Sequence, residues 1–599
     1  MLEETTSIST PSKVKSRGKP PQIAIVKLYN TLSRQVEELK LQNHLVRMYV
    51  CGVTVYDNSH IGHARTIIIF DVLRRYLISR GYKVIFVQNF TDVDDKIINR
   101  AKAEGKKAEE ISRRYIDRYF NDFDSLNVLR ADYYPKATDH IKEMIHLIDG
   151  LMKKGYAYLT LNGVYFSIKS FPEYGKLSKK SVEELESGAR IEIDPSKKDP
   201  LDFALWKFYS DQTVWPSPWG NGRPGWHIEC SAMSRKYLGD TLEIHGGGHD
   251  LVFPHHENEI AQSESYTSKQ LAKIWVHTGM VTINSQKMSK SLGNIVTIKQ
   301  ALKIWGANPL RLYCLSAHYS KPLDYTDELL IESTQRWRQI ETCVYELRFA
   351  VGSGGEIDTV KSMCEESMRA FEAAMDEDMN TSLAIAELMK LVTKLNRYIA
   401  AEKLTKDMTD NALPTLNKIM DILGLKIVES RDKEREVIEE IAIRRNKMRA
   451  EKKFKEADER RNKLLELLSA ELLDHKGRTT WVKREKPSIW NVDNREDQVR
   501  EANRKLETRL MQIVRQRNLN AHLPRDRRPS ISELVDILIT NRVMPKAGRS
   551  KEFADTITRL GDKAVRGEQI TKEEFVDGDY TLAIAWFEME LDDMKELEQ

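Results

Sequence analysis

The chain is poor in cysteine, with five residues in 599, at positions 51, 230, 314, 343 and 364, and no two of them spaced as Cys-x-x-Cys. That excludes a disulfide scaffold and points to a reducing compartment. Proline (18 residues) and glycine (29) are also sparse, while 41% of the chain is hydrophobic. A collagen-like or mostly disordered chain is excluded on those grounds. No apolar run approaches the ~18 residues that cross a bilayer, so no membrane contact is expected. The beginning, Met1-Leu2-Glu3-Glu4 followed by a Ser/Thr/Lys/Pro mixture, has neither the apolar segment of a secretory signal nor the acid-poor helix of a transit peptide. The expectation is a cytoplasmic, multidomain protein of roughly four domains, at about 150 residues each.

What is present is an uneven distribution of charge. The net charge is +4, yet residues 431–528 carry 28 Lys+Arg against 19 Asp+Glu, and residues 529–599 carry 9 against 16. A basic block of that kind suits phosphate contact, and it equally suits a solvated, salt-bridged helix. Toward the other end, Met48–Val55 is apolar and β-branched and reads as a buried strand. A helix follows from about Ile61 to Arg80, with Ile69, Val72, Leu73, Tyr76 and Leu77 on one face. Gly81 stands where the helix stops, and Lys83–Val87 reads as a second strand. A strand–helix–strand unit with short connections makes a right-handed parallel crossover, whose ligands bind at the carboxyl ends of the strands. Cys51, Gly52, His60 and His63 fall at or just beyond such an end. Residues 151–220 change texture to short alternating runs with prolines and tryptophans, as an insertion would. From about Ile331 the pattern is nearly all helical, through Leu423 and again from Arg435 to Leu468.

Three constellations carry chemistry. His60-Ile61-Gly62-His63 sits at a strand-to-helix turn, where free backbone N–H groups and the helix dipole favour phosphate. Lys287-Met288-Ser289-Lys290-Ser291 is a Ser-containing loop whose two lysines can close over a polyphosphate. Alone, each reads as well as surface histidines or an ordinary basic loop. His255 and Glu259, at i and i+4, share a helix face, and Cys51 and Cys230 could add two thiolates to form a zinc shell. Spacing by itself does not select those four, and for either cysteine taken singly a buried structural thiol is the more common reading.

The paired His-Ile-Gly-His turn and Lys-Met-Ser-Lys-Ser loop, on a parallel-sheet background, resemble the two signatures of class I aminoacyl-tRNA synthetases. Longer stretches narrow this. Cys51-Gly52-Val53-Thr54-Val55-Tyr56-Asp57, Thr91-Asp92-Val93-Asp94-Asp95-Lys96, Asp199–Lys207, Gly225-Trp226-His227-Ile228-Glu229-Cys230, His245-Gly246-Gly247-Gly248 running to Glu259, Asp378-Met379-Asn380-Thr381 and Gly477–Trp481 resemble the cysteinyl-tRNA synthetase family, in order from about Ile23 to Trp481. Val53 departs from the family's usual proline, and the segment beyond about Trp490 is outside the common pattern.

The resemblance implies an α/β fold: a Rossmann-like parallel-sheet catalytic domain with an insertion, followed by an α-helical tRNA-binding half. The expected division is a tail (1–21), the two catalytic halves (22–150 and 221–330), the insertion (151–220), a helical bundle (331–430), a basic anticodon-binding subdomain (431–490) and a helical extension (491–599). It implies activation of L-cysteine by ATP, with Mg²⁺, and transfer to the 3′ end of tRNA(Cys). Zinc would be held by Cys51, Cys230, His255 and Glu259 and would select the substrate thiolate over a serine hydroxyl. His60, His63, Lys287 and Lys290 would handle the phosphates, Gly62 would face adenine, and Asp250 the ribose. Gly52, Thr91 and Trp226 would frame the amino acid. Trp481 and Trp490 are candidates for stacking on unpaired bases, with a core tryptophan the more common outcome for each, and the extension has room for a protein partner. Two other readings are a cysteine ligase acting on a small amine and a non-catalytic RNA-binding relative.

Overall fold

The computed structural model describes residues 25–587 and 589, except 42, 181–183, 185–195, 211–212, 290–291, 351, 476–477, 485–494, 525–526, 545–547, 567, 571–573 and 575–581. The expectations for the tail 1–21, Lys290 and Trp490 therefore lie outside the described residues.

The centre is a four-stranded, all-parallel sheet of β1 (Leu45–Thr54), β2 (Lys83–Thr91), β3 (Leu242–Gly248) and β4 (Ala272–Thr278), in the order β4-β3-β1-β2. Helix α1 (Ile61–Ser79) joins β1 to β2 in the crossover read from sequence. Its expected stripe is buried, but so are Ile67, Ile68, Phe70, Arg65 and Asp71, because α1 also packs against the helices Ala307–Leu315 and Lys406–Leu423. The register of β1 on β2 slips between Val50 and Val53, a bulge that falls on Cys51 and Gly52. A side chain at Gly52 would meet the Asn89 carbonyl oxygen at 1.6 Å, so the bulge needs glycine for the close approach of two backbones.

Between β2 and β3 the chain forms the helix Ile141–Lys153 and an antiparallel sheet, Ala157–Leu159, Gly163–Phe166, Phe203–Phe208 and Gly222–Pro224, in chain order. It then enters α2 (Trp226–Leu238), and an irregular turn, Val252–His256, precedes α3 (Glu257–Thr267). After β4, Val281–Ile283 pairs antiparallel with Gln286–Lys287 and parallel with Leu323–Tyr325. The helical half holds Asp327–Arg348, Ile357–Asp376, Thr381–Ala400 and Lys406–Leu423, the last capped by Gly424 at φ +68°.

Three details refine the helical half. The pattern from Arg435 to Leu468 is two helices, Asp432–Ala450 and Phe454–Leu468, broken where Lys452 takes φ +63°. Within this nearly all-helical half, Ala470–His475 and Arg478–Lys483 form an antiparallel hairpin. Trp481 lies on that hairpin, buried against Tyr345 and Phe349, so it is core and not a stacking platform for bases. The extension's helices Arg495–Gln516, Ile531–Thr540 and Gly548–Val565 pack on one another, and the last of them meets Asp432–Ala450. Arg549 pairs with Glu436 and Glu440, Lys433 with Glu552, and Arg444 lies over Trp586. Among the described residues no helix is long and apolar enough to cross a membrane.

Candidate active site

The carboxyl ends of the parallel strands form one cleft with two parts. The first is a buried cluster drawn from separate elements: Cys51 from the β1 bulge, Cys230 from α2, His255 from the turn before α3, and Glu259 from α3. One ligand atom from each lies within 4.8 Å of the others, and all four side chains are buried. The Cys51 thiol donates to Glu259 Oε1 at 3.2 Å, and His255 Nε2 is 3.1 Å from the same oxygen. The two sulfurs are 3.7 Å apart. That is far beyond the ~2.05 Å of a disulfide, while ~2.3 Å bonds to a tetrahedral zinc set two sulfurs about 3.8 Å apart.

The charges lead to the same conclusion. Burial pushes the Cys51 thiol well above its ordinary range. Burial also opposes ionisation of Cys230, but the hydrogen bond from Cys51 and the nearby His255 bring it down to about 6. His255 rises to about 10 against burial because Glu259 and Cys230 stand beside it. Glu259, also against burial, is held well below the usual carboxylate range by His245 and His255. Two thiols and a carboxylate thus share a closed volume with one strongly basic imidazole, a donor set whose negative surplus fits a soft divalent cation.

A second layer, which sequence reasoning missed, holds this one. His245 Nε2 is 2.9 Å from Glu259 Oε2, and His256 Nε2 is 3.3 Å from the Cys51 sulfur. His256 in turn meets His277 at 2.7 Å, and His277 meets the Thr31 hydroxyl at 2.8 Å. Cys51, His245 and His256 make a second compact donor set. Asn89 accepts from the Gly52 N–H at 2.9 Å and lies 3.6 Å from the Cys230 sulfur, tying bulge to helix. The available signal was the polar pair Gln88 and Asn89 inside buried β2 and histidines inside β3 and β4. At the mouth, Trp226 stacks obliquely on His255 with ring centres 4.4 Å apart and remains 40% exposed. Thr91, buried at the end of β2, donates its hydroxyl to Glu229 at 2.8 Å.

The second part is a more open shelf at the start of α1. His60 caps the helix: its Nδ1 accepts the Gly62 N–H, and His63 Nδ1 accepts the His60 N–H in return. The rings stack with centres 3.7 Å apart. Burial and the neighbouring His60 keep the His63 pKa well below the ordinary histidine value. Both Nδ1 atoms being acceptors, the neutral rings carry their protons on Nε2. A Cβ at Gly62 would lie 3.2 Å from the Met288 methyl, so the two sequence signatures meet across this glycine. Lys287 is exposed on its short strand, and Asn294 braces the loop by accepting from Ser289 N–H and donating to the Lys287 carbonyl. Asp250 is exposed just past β3, its carboxylate folded over Gly248. The structure thus brings together the four expected metal-site residues with Gly52, Thr91 and Trp226, and sets His60, Gly62 and His63 beside Met288.

Residues 37–335 match the family described as tRNA synthetases class I (C) catalytic domain, and residues 370–427 match the DALR domain family. Fold and cleft are thus those of a class I aminoacyl-tRNA ligase. The chain is 46% identical over 483 residues to the cysteine–tRNA ligase of Thermodesulfovibrio yellowstonii, covering 76% of this chain and 99% of that one. It is 47% identical over 452 residues to that of Caldicellulosiruptor saccharolyticus, covering 74% and 96%. The chain belongs to the cysteine–tRNA ligase family, as its motifs led one to expect. A solved methionyl-tRNA synthetase of Mycobacterium tuberculosis in complex with methionyl-adenylate is similar over 63% of this chain and 89% of that one, at 16% identity and a TM-score of 0.49.

Proposed function

We propose that the cleft joins ATP to the carboxyl group of L-cysteine and then passes the aminoacyl group to the 3′ end of tRNA(Cys), in a reducing, cytoplasmic setting. The observation that carries the reading is the buried set of Cys51, Cys230, His255 and Glu259 inside a class I cleft. These four would hold zinc, which when bound supplies a soft Lewis acid for the substrate thiolate that a serine hydroxyl does not match. Shape alone separates near-isosteric substrates by only ~1–3 kcal/mol, so a chemical selector removes the need for a second, editing site.

The remaining work falls to the chain's own groups. Trp226 closes the mouth over the amino acid, and Thr91 and the Gly52 bulge frame its backbone. The Nε2–H groups of His60 and His63 donate to the phosphates of ATP, and the bare face of Gly62 leaves room for adenine opposite Met288. Asp250 accepts from the ribose hydroxyls. Lys287 and Lys290 hold the leaving pyrophosphate, with Mg²⁺ accompanying the nucleotide. The substrate carboxylate attacks the α-phosphorus and pyrophosphate leaves. No protein nucleophile is needed, so positioning and charge stabilisation supply the rate. The helices from Asp327 and the DALR region hold the tRNA.

The test is Cys230→Ser. Bound zinc and cysteine-dependent ATP–pyrophosphate exchange should be lost, with tRNA binding retained. Unchanged exchange in that variant overturns the reading.

A further inference from the structure

Arg65 lies two residues beyond His63 on α1 and is fully buried. Its guanidinium has no acidic partner among the described residues. It donates instead to four backbone carbonyls: Gly279 at 3.1 Å, Met280 at 3.2 Å, His318 at 3.2 Å and Lys321 at 2.5 Å. Those carbonyls belong to two particular segments. Gly279 and Met280 lead directly into Val281–Ile283, the strand that pairs with Gln286–Lys287 and so carries the Lys-Met-Ser-Lys-Ser loop. Lys321 leads into Leu323–Tyr325, the parallel neighbour of the same strand. The two segments touch so closely that a Cβ at Gly279 would lie 2.1 Å from the Lys321 carbonyl oxygen. A single planar cation therefore gathers the roots of both strands under the loop and fixes them to α1.

The far end of the loop is tied to the same helix. The Ile61 N–H donates to the Val296 carbonyl at 3.0 Å, and the Ile298 N–H to the Ser59 carbonyl at 3.0 Å. The loop is thus held at its beginning by Arg65, within α1, and at its end by residues 59–61, where the chain enters α1 and which carry His60.

We propose that Arg65 is a positioning residue for adenylate formation: it sets the register between His60 and His63, at the start of α1, and the loop strand that carries Lys287. The inference rests on the phosphate roles given above to those residues. Arg65 itself reaches no substrate; it acts through the backbone. A glutamine in its place has two amide N–H donors for four carbonyls, leaving two of them buried and unpaired and the strand roots free to shift. A lysine keeps the charge and three donors without the planar fork.

The experiment is ATP–pyrophosphate exchange on the full chain with Arg65→Gln, Arg65→Lys and, as a control on the underlying reading, Lys290→Ala. Arg65→Gln should lower kcat about 100-fold, the scale of a reacting group displaced by ~1 Å. The KM for cysteine and the Kd for tRNA should stay within about twofold, because the thiol pocket and the helical half keep their own contacts. Arg65→Lys should recover part of kcat. If Arg65→Gln does not fold, by circular dichroism, Arg65→Lys is read in the same way, with a fall in kcat at constant KM for cysteine. Wild-type kcat, or kcat, cysteine KM and tRNA affinity all deteriorating together, overturns the proposal. If Lys290→Ala lowers exchange and the Arg65 variants do not, the positioning role alone falls. If neither does, the phosphate reading falls with it.

Discussion

The thiol pocket and the phosphate shelf sit at the same edge of the same sheet and are built on opposite principles. Every donor of the pocket is buried, drawn from β1, α2 and α3 with their adjoining turn, and already in contact with its neighbours. The shelf has half-buried histidines, an exposed Lys287, and a loop held mainly at its two ends. Under the proposed function, the difference follows from what each part must do. Telling sulfur from oxygen needs donors fixed to within tenths of an ångström, which only close packing provides. Holding a polyanion that arrives as ATP and leaves as pyrophosphate needs charges that water can reach and that can give way. One part therefore couples activity to stability, and the other separates them.

That contrast can be broken, and the largest effect is expected at its hub. Glu259→Gln replaces an acceptor facing two imidazoles and a thiol with an amide that must also donate. Exchange should fall by at least ~1000-fold, zinc should be lost, and urea unfolding should show a destabilisation of about 3 kcal/mol, as when one member of a buried charged set is removed. A fold as stable as wild type would mean that the pocket is not the rigid part. Next, His63→Ala should lower kcat for exchange about 100-fold with the KM for cysteine unchanged, as for loss of one donor to transition-state charge. A rise in cysteine KM instead would join the two parts that the structure separates. Lys287→Ala should cost about tenfold in kcat while leaving stability within about 0.5 kcal/mol, since an exposed side chain contributes little to folding.

The smallest effect is in pH dependence. His63 is held neutral in the fold, its pKa below the ~6.5 of the unfolded chain, so the stability linked to it is complete above ~6.5 and is lost as pH falls through that value toward the folded pKa. Unfolding midpoints measured from pH 7 down to 5 should therefore decline less steeply in His63→Asn than in wild type. An identical slope would show that the ring is open to water.

Much of this was legible in the sequence, for physical reasons. The crossover was readable because its signals are local: an apolar run for β1, one apolar helix face, Gly81 just past the helix end. Observed Leu45–Thr54, Ile61–Ser79 and Lys83–Thr91 follow the expected elements closely. The motif residues could be named because runs of consecutive residues resemble a known family; spacing alone did not select Cys51, Cys230, His255 and Glu259. The supporting layer could not. His245, His256, His277 and Asn89 matter through contacts between strands far apart in sequence, and nothing in periodicity distinguishes a histidine that holds a ligand from one that fills a core. Trp481 took the commoner of its two readings: its basic, polar stretch also suited stacking on bases, but the hairpin turns it onto Tyr345 and Phe349. The four carbonyls around Arg65 are main-chain atoms, which no side-chain pattern reveals.

The central claim is that a closed, thiol-selecting pocket works beside an open phosphate site. Amino-acid-dependent ATP–pyrophosphate exchange on the purified, zinc-containing chain, with cysteine compared against serine, tests it most directly. Exchange is expected with cysteine and none above background with serine. Comparable exchange with both, or none with cysteine in folded, zinc-loaded protein, would contradict it.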